Sequence, residues 1–325
     1  MRAMILAAGL GTRMRPLSDF RAKPALPVVG RPVISLLLEL LARQGVRKVL
    51  INLHHRPESI RDAIAEDHPE DLEITWSEEP QPLGTGGGIR CAADFLRAEP
   101  DCVVMAGDML LDMDLTMLLE CHRASGRDAT LVLRDDRRGA DFGTIGVDER
   151  GGVTRIGRRP LTPAPNGSSR EEVQRGLFTS VRFFRREALD TWPSEPARSF
   201  EDLRDWLAPG AESGHIRLGA EIVAPDASVW EPVGTPSEYL NVNLHPPDLP
   251  SLGGDAERWR GDVEPVIWRA GRVVSRSAEV PRDVQLDRVV VWDGERLPRG
   301  FSGRDGVYAG GGFHSSNASP AGRTS

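Results

Sequence analysis

Two glycines and a run of cations crowd the amino end of this chain. Gly9, Gly11, Arg13, Arg15 and Lys23 all fall within the stretch ILAAGLGTRMRPLSDFRAKPALPV. Glycine lets backbone N–H groups approach an anion, and peptide dipoles at a strand-to-helix turn favour negative charge there. Arginine adds bidentate, charge-assisted contacts to phosphate oxygens, and lysine adds a point charge on a flexible stem. Such a loop suits the holding of a polyphosphate. It is neither of two common phosphate loops: a Walker A needs GxxxxGK[ST], and a dinucleotide fingerprint needs glycine where this chain has Met14. On spacing alone, a glycine turn with surface arginines accounts for the same residues.

Asp108 closes the apolar run VVMAGD. A carboxylate there suits a Mg2+ ion that takes its other ligands from phosphates and water. An Asp that turns the chain or caps a helix would look the same. His54 and His55 are adjacent on a strand, so they point to opposite faces and make a poor ligand pair. Cys91, Cys102 and Cys121 are widely spaced and form no CxxC, which argues against zinc or disulfides and fits a reducing compartment.

The elements that must position these groups follow from periodicity. Residues 3–8, 47–53, 73–79 and 101–107 read as strands, the first buried on both faces and the last also buried. RPVISLLLELLARQG places Val33, Leu36, Leu37, Leu40 and Leu41 on one helical face, with Pro32 in the first turn and Gly45 as the terminator. Helices are also expected from Pro57, after the glycines at 84–88, and over LTMLLECHRASG. Strands alternating with helices mean βαβ units. The fold class is therefore α/β, a Rossmann-like, mainly parallel mixed sheet flanked by helices. Ligands of such sheets sit at the carboxyl ends of the strands. The glycine loop at 9–13, the one at 84–88 and Asp108 all follow strands and could meet in one cleft.

Beyond residue 140 the pattern loosens. FGTIGVDERGGVTRI reads as a hairpin, and residues 160–172 as a surface loop. Val274, Val280, Leu286, Trp292 and Leu297 recur at steps near six, which hints at a short β-helix. The expected organisation is a main domain over 1–245, a Pro- and Gly-rich linker over 246–262, a short β-helix-like segment over 263–313, and a disordered tail over 314–325.

Bulk composition narrows the function. A net charge of −7 argues against a nucleic-acid or membrane-surface binder, so any anion site must be a local cluster of basic groups. MILAAGL is too short and too closely followed by Arg13 and Arg15 for a signal peptide. No run approaches the ~20 apolar residues of a membrane span. A cytoplasmic protein is expected.

LAAGLGTRMRPLSDFRAKPALPV resembles the signature of the sugar-1-phosphate nucleotidyltransferases, the nucleotide-diphospho-sugar pyrophosphorylases. The resemblance continues in EEPQPLGTGGGIR, VVMAGDML, GTIGVDERGGVTRI and VGTPSEYLNVN, in the family's order, over roughly residues 1–245. It implies that the phosphate of a sugar 1-phosphate attacks the α-phosphate of a nucleoside triphosphate and releases pyrophosphate. It further implies that Leu6, Ala8, Gly9, Gly11 and Thr12 bind the nucleotide, with Gly84, Thr85 and Gly86 facing its base and ribose. Arg13 and Lys23 would neutralise the triphosphate, Lys23 near the α-phosphate. Asp108 would hold Mg2+, while Gly143 and Arg159 would bind the sugar phosphate. The wording LGTGGGIR is most similar to mannose-1-phosphate guanylyltransferase-like members, which points to GTP. Uridylyltransferases carry a similar loop. Relatives often associate through the C-terminal segment, so a homo-oligomer is a further expectation.

Two positions depart from the family pattern. Members carry a second metal-binding acid in W-x-D-V-G-T-P, and this chain reads WEPVGTP, with Pro232 at that place and Glu231 beside it. Where many members have E-K-P, this chain has Arg158, Arg159 and Pro160. The charge of the lysine is kept and that of the acid is reversed. The departures leave the nucleotide loop intact and weaken the metal site. The same fold binding a sugar nucleotide without turnover, as a regulatory subunit, is therefore the alternative to an enzyme.

Overall fold

The structure, a computed structural model, describes residues 1–139, 143–162, 171–193, 199–260, 266–269 and 271–316. Apolar runs with no alternation build its centre. Strand β1 (Arg2–Leu6) lies between β4 (Lys48–Leu53) and β6 (Asp101–Ala106), parallel to both, and β5 (Glu73–Glu78) extends the sheet beside β4. Both faces of these strands are covered. Ala3 and Ile5 join one buried cluster and Met4 the other, as Val103 and Met105 do against Cys102 and Val104. Helices α1 (Val33–Arg43) and α2 (Pro57–Glu66) pack on one face. The five apolar positions read from the periodicity of α1 are all buried.

The other half of the sheet is antiparallel. The long strand β12 (Gln174–Arg185) pairs antiparallel with β6 on one side and with β8 (Ala129–Arg134) on the other. β13 (Leu218–Val223) runs parallel to β8. The expected hairpin is β9 (Ile145–Val147) and β10 (Val153–Ile156), continued by β11 (Arg159–Pro160) and joined to the start of β12. The result is a ten-stranded mixed sheet flanked by helices, among them α3 (Gly84–Cys91), α4 (Ala93–Leu96) and α5 (Leu115–Ser125). Two smaller pairings escape the sequence reading. One is the hairpin of β2 (Pro27–Val28) and β3 (Arg31–Pro32). The other joins β7 (Met109–Asp112) to β14 (Val229–Pro232). The second sets Pro232 opposite Met109, next to Asp108.

The stretch expected as a linker is folded against the domain. Leu249, Leu252, Ala256 and Trp259 are buried in the main core, and Ser251 donates from its amide and its hydroxyl to Asp112 at 2.7 and 2.6 Å. The C-terminal sheet consists of β15 (Val266–Arg269), β16 (Arg272–Ser275), β17 (Gln285–Val291), β18 (Ser302–Ala309) and β19 (Gly312–Ser315). Strands β16, β17 and β18 are parallel, Arg272 facing Val289 and Val289 facing Gly306, a step of 17 residues. A separate parallel bridge between Glu279 and Arg296 keeps that step, as successive coils of a β-helix do. The six-residue periodicity is imperfect, since Val280 is 37 % exposed. Order also runs past residue 313: His314 and Ser315 belong to β19, hydrogen-bonded across to β18. The tail from 317 onward and most of the loop over 160–172 lie outside the described residues.

This sheet leans on the first glycine loop. Arg21 pairs with Asp293 at 2.7 Å and lies 4.8 Å over the ring of Trp292. Trp292 donates to the Tyr239 hydroxyl at 2.9 Å, which donates to the Pro27 carbonyl at 2.6 Å, and Phe20 packs beside His314.

Candidate active site

Strands β1, β4 and β6 end on one edge, and a cleft of about 600 Å³ opens there. It is a size that suits a nucleotide-scale ligand. Leu6, Ala8, Gly9, Gly11 and Lys23 line it from the first loop, Asp108 from the end of β6, and Gly84 and Thr85 from the second loop. The topology therefore brings together three segments that the sequence could place only on the same edge.

Gly11 is required where it stands. Its φ is +62°, and a Cβ there would meet Lys23 Cγ and Ser18 Cβ, both at 3.0 Å. The bare backbone lets the Lys23 stem pass beneath the loop. Ser18 Oγ donates to the Gly11 carbonyl at 2.9 Å, and the His55 ring contacts the Ser18 carbonyl at 2.7 Å. Ala22 N–H donates to Ser59 Oγ at 3.0 Å. Lys23 is 8 % exposed, and its Nζ reaches Asp108 Oδ2 at 2.5 Å.

A buried polar relay that the sequence reading missed joins the two glycine loops. Ala7 N–H donates to Asn52 Oδ1 at 2.8 Å, Asn52 Nδ2 donates to Glu79 Oε1 at 2.7 Å, and Leu83 N–H donates to Glu79 Oε2 at 3.0 Å. The signal was an amide at the end of the apolar strand VLINL. A buried amide must be hydrogen-bonded, so it marks an organised site. His54 contacts the Glu79 carbonyl at 2.8 Å. The two histidines thus brace different loops.

The second loop is pressed against residues 200–202. Gly84 has φ +70°, and a Cβ there would stand 2.5 Å from the Phe200 carbonyl oxygen. Thr85 Oγ1 donates to Glu201 Oε2 at 2.8 Å and lies 2.5 Å from Asp202 Oδ1.

Five expected site residues are placed elsewhere. Gly86 is buried under the Phe200 ring, and its N–H donates to the Phe200 carbonyl at 3.0 Å, so it presents nothing to the cleft. Thr12 and Arg13 are exposed in a 3-10 turn outside the cleft wall. Arg13 makes no hydrogen bond or ion pair among the described residues and lies beside Gly234, a Cβ on which would be 3.7 Å from its Nη2. Gly143 and Arg159 lie away from the cleft, toward the β9–β11 edge. Arg159 is held there by Glu212 at 2.6 Å, because the hairpin carries β11 outward. The cleft wall is instead completed by residues with no motif to announce them: Phe178, Ser180 and Arg182 of β12, and Glu201, Asp202 and Leu203. Ser180 sits at φ +64°, where β12 slips register against β8 between Phe178 and Val181. Bulges of this kind re-aim side chains next to active sites.

The resemblance assigns Mg2+ to Asp108, and the residues present would hold it by that one carboxylate, with phosphates and water as its other ligands. Among the described residues no group of three His, Cys, Asp or Glu side chains could hold a metal. Pro232 offers no side-chain oxygen. Glu231 is taken by Arg138 at 2.8 Å, and Arg138 also holds Asp136, whose carboxyl its hydrogen bond pulls down to about 2. Asp108 is already occupied by Lys23. Cys102 is unsuited as a nucleophile: burial pushes its thiol up to about 12.

A family model described as nucleotidyl transferase matches residues 2–247. The chain is 30 % identical over 307 residues to a mannose-1-phosphate guanylyltransferase of Mycobacterium tuberculosis, a match spanning 92 % of this chain and 81 % of that one. It is 30 % identical over 206 residues to a UTP–glucose-1-phosphate uridylyltransferase of Synechocystis, spanning 60 % of this chain and 51 % of that one. In fold it is similar to HddC of Yersinia pseudotuberculosis solved with GMP-PN, with a TM-score of 0.59 at 23 % identity, covering 74 % of this chain and 97 % of that one. The chain belongs to the nucleotidyl transferase family. No helix among the described residues is long and apolar enough to cross a membrane.

Proposed function

We propose that this protein is a sugar-1-phosphate nucleotidyltransferase, forming an NDP-sugar and pyrophosphate from a nucleoside triphosphate and a sugar 1-phosphate, with GTP and mannose 1-phosphate as the preferred pair. The observation that carries the reading is the convergence of Gly9, Gly11, Lys23 and the Gly84–Thr85 turn on one cleft at the carboxyl edge of the sheet. The similarity to the mycobacterial enzyme over most of both chains supports the choice of pair. The wording shared with uridylyltransferases keeps UTP as the alternative nucleotide.

The reaction joins two anions. An oxygen of the sugar phosphate forms a bond to the α-phosphorus while the bond from that phosphorus to the β-phosphate oxygen breaks and pyrophosphate leaves. Catalysis is then positioning and charge neutralisation. Lys23, released from Asp108 by the stronger charge of the triphosphate, stabilises the negative charge on the α-phosphate. The Gly9–Gly11 backbone lies against the polyphosphate, and unpaired Arg13 is free to swing onto it. Asn52 and Glu79 keep the two glycine loops at a fixed separation, so the base and the phosphates are gripped together. The cytoplasm, where nucleoside triphosphates are abundant, fits this reading. Strands β15 and β19 each have a single partner in the C-terminal sheet, and pairing of a second copy along either edge is the association we expect.

Pro232 favours a second reading, in which the cleft binds a sugar nucleotide without turnover. Pyrophosphate release separates the two, using purified protein with Mg2+ and four nucleoside triphosphates against mannose, glucose, N-acetylglucosamine and N-acetylmuramate 1-phosphates. Release with one pair is expected. Silence across the matrix, with GDP-mannose still binding by calorimetry, would replace the enzyme with the binding protein.

A further inference from the structure

We propose that Arg182 receives an anionic group of the sugar phosphate that accepts the nucleotide, with Asp202 as its resting counter-ion. This rests on the nucleotidyltransferase reading for the identity of the ligand, and on the geometry of β12 for the residue.

The cleft needs a cation on its acceptor side, and Arg159 is turned away onto Glu212 with its side chain 47 % exposed. Among the described residues the cations lining the cleft are Lys23, Arg182 and Arg204. Lys23 sits with Asp108 on the side of the first loop. Arg204 is 70 % exposed and closes onto its neighbour Asp205 at 2.7 Å. Arg182 is 2 % exposed at the cleft wall, a charged residue set among the buried apolar Val181, Phe183 and Phe184.

Its satisfaction is incomplete. Arg182 Nη1 donates to the Ser180 carbonyl at 3.0 Å. Arg182 Nε lies 2.7 Å from Asp202 Oδ2, yet the two are not aligned as a hydrogen bond, and each atom is buried without a hydrogen-bond partner among the described residues. The ion pair holds both charges, and without aligned hydrogen bonds it is a costly arrangement to bury. The guanidinium also lies 5.5 Å over the Phe178 ring, which fixes its plane. The bulge that strains Ser180 puts Phe178, Ser180 and Arg182 together on the cleft wall. A planar cation held beneath an aromatic ring suits a phosphate or carboxylate, which two parallel N–H groups can grip. When the anion arrives, Asp202 Oδ1 keeps its contact with Thr85 Oγ1 at 2.5 Å.

The anion is either the phosphate of the sugar 1-phosphate or a carboxylate on an acidic sugar, and paired probes tell them apart. Mannose 1-phosphate and glucuronic acid 1-phosphate would be titrated by calorimetry into the full chain with GMP present, which reports binding whether or not turnover occurs. Asp202→Asn frees Arg182 and keeps the Thr85 contacts, and is expected to tighten binding about threefold or more. Arg182→Met combined with Asp202→Asn removes the pair without stranding a charge, and is expected to weaken binding about thirtyfold while GMP affinity stays within about threefold. Equal loss for both probes assigns the phosphate to Arg182; loss confined to glucuronic acid 1-phosphate assigns the carboxylate. A merely structural ion pair would lower the melting temperature of both variants with no change of opposite sign between them. Unchanged affinities, or no binding of either probe to the wild-type chain, overturns the proposal. So does a loss produced by Arg159→Ala instead. Failure of GMP itself to bind would count against the nucleotidyltransferase reading and leaves the two Arg182 arms to be read with the sugar phosphates alone.

Discussion

The two sides of the cleft are built to different standards. On the proposed nucleotide side each loop is fixed by side chains from other segments: Ser18 and His55 hold the turn at Gly11, and Asn52 and Glu79 tie Ala7 to Leu83 through buried hydrogen bonds. On the acceptor side the family's lysine position, Arg159, faces outward, its second acid is Pro232, and the wall is made of Phe178, a strained Ser180 and a half-satisfied Arg182. The difference teaches that binding and turnover need not be kept together. A polyphosphate grip is mostly backbone, so it survives side-chain change. Metal and acceptor recognition rest on single side chains, and each replacement is felt in full.

The largest effect that would sharpen this comparison is at Lys23. Lys23→Met removes the buried cation proposed to meet the α-phosphate and should lower kcat about a thousandfold, as loss of a charge-stabilising donor does. Pyrophosphate release at saturating GTP and mannose 1-phosphate measures it; a loss below tenfold would place the stabilising charge elsewhere.

Next in size is Pro232→Asp, which restores an oxygen next to Asp108. If the acceptor side limits the rate through its missing carboxylate, activity in Mg2+ should rise about ten- to a hundredfold. Free Mn2+, followed by electron paramagnetic resonance, should bind the variant and not the parent. Unchanged kinetics with unchanged Mn2+ binding would break the contrast by showing that the proline costs nothing.

Gly84→Ala tests the nucleotide side. Its Cβ would collide with the Phe200 carbonyl at a positive φ, and the shift needed should weaken GTP about tenfold while sparing mannose 1-phosphate. Calorimetry with each ligand separately decides it, and equal losses for both would show that the two sides move as one.

A separate effect, on stability rather than on binding or turnover, concerns the scaffold beneath both sides. His122 is fully buried on α5, stacked on Phe183 and hydrogen-bonded through its ring to Thr130, and burial pushes its imidazole down to about 4. The unfolded chain takes up that proton near pH 6.5 while the folded chain resists it. The stability is therefore present above that pH and is lost as pH falls toward 4, by on the order of 3 kcal/mol. Urea melts at pH 7 and pH 4.5 should show the drop in the parent and a flatter dependence in His122→Gln. Parallel losses in both would assign the acid sensitivity to other groups.

The sequence by itself determined the parts whose physics is local. Continuous apolar runs made β1, β4 and β6 buried on both faces, the spacing of Val33, Leu36, Leu37, Leu40 and Leu41 made α1, and glycine beside arginine and lysine marked the first loop as an anion site. The carboxyl-edge rule placed that loop, the second glycine loop and Asp108 on one edge, since parallel strands all point the same way. Tertiary structure decided what depends on partners distant in the chain. Gly86 looked like its neighbours Gly84 and Thr85, and only Phe200, far along the chain, turned it inward. Arg159 kept its charge in the sequence, and only the path of β11 and the position of Glu212 took it from the cleft. Arg182 stood in an apolar strand with nothing to mark it, and the register slip beside Ser180 brought it to the cleft wall. The linker was misjudged for the same reason: proline and glycine predict turns, but whether a turn-rich stretch is loose or packed depends on the surface it meets, here a core that buries Trp259, and the first residues of the expected tail likewise meet a β18 edge that holds His314.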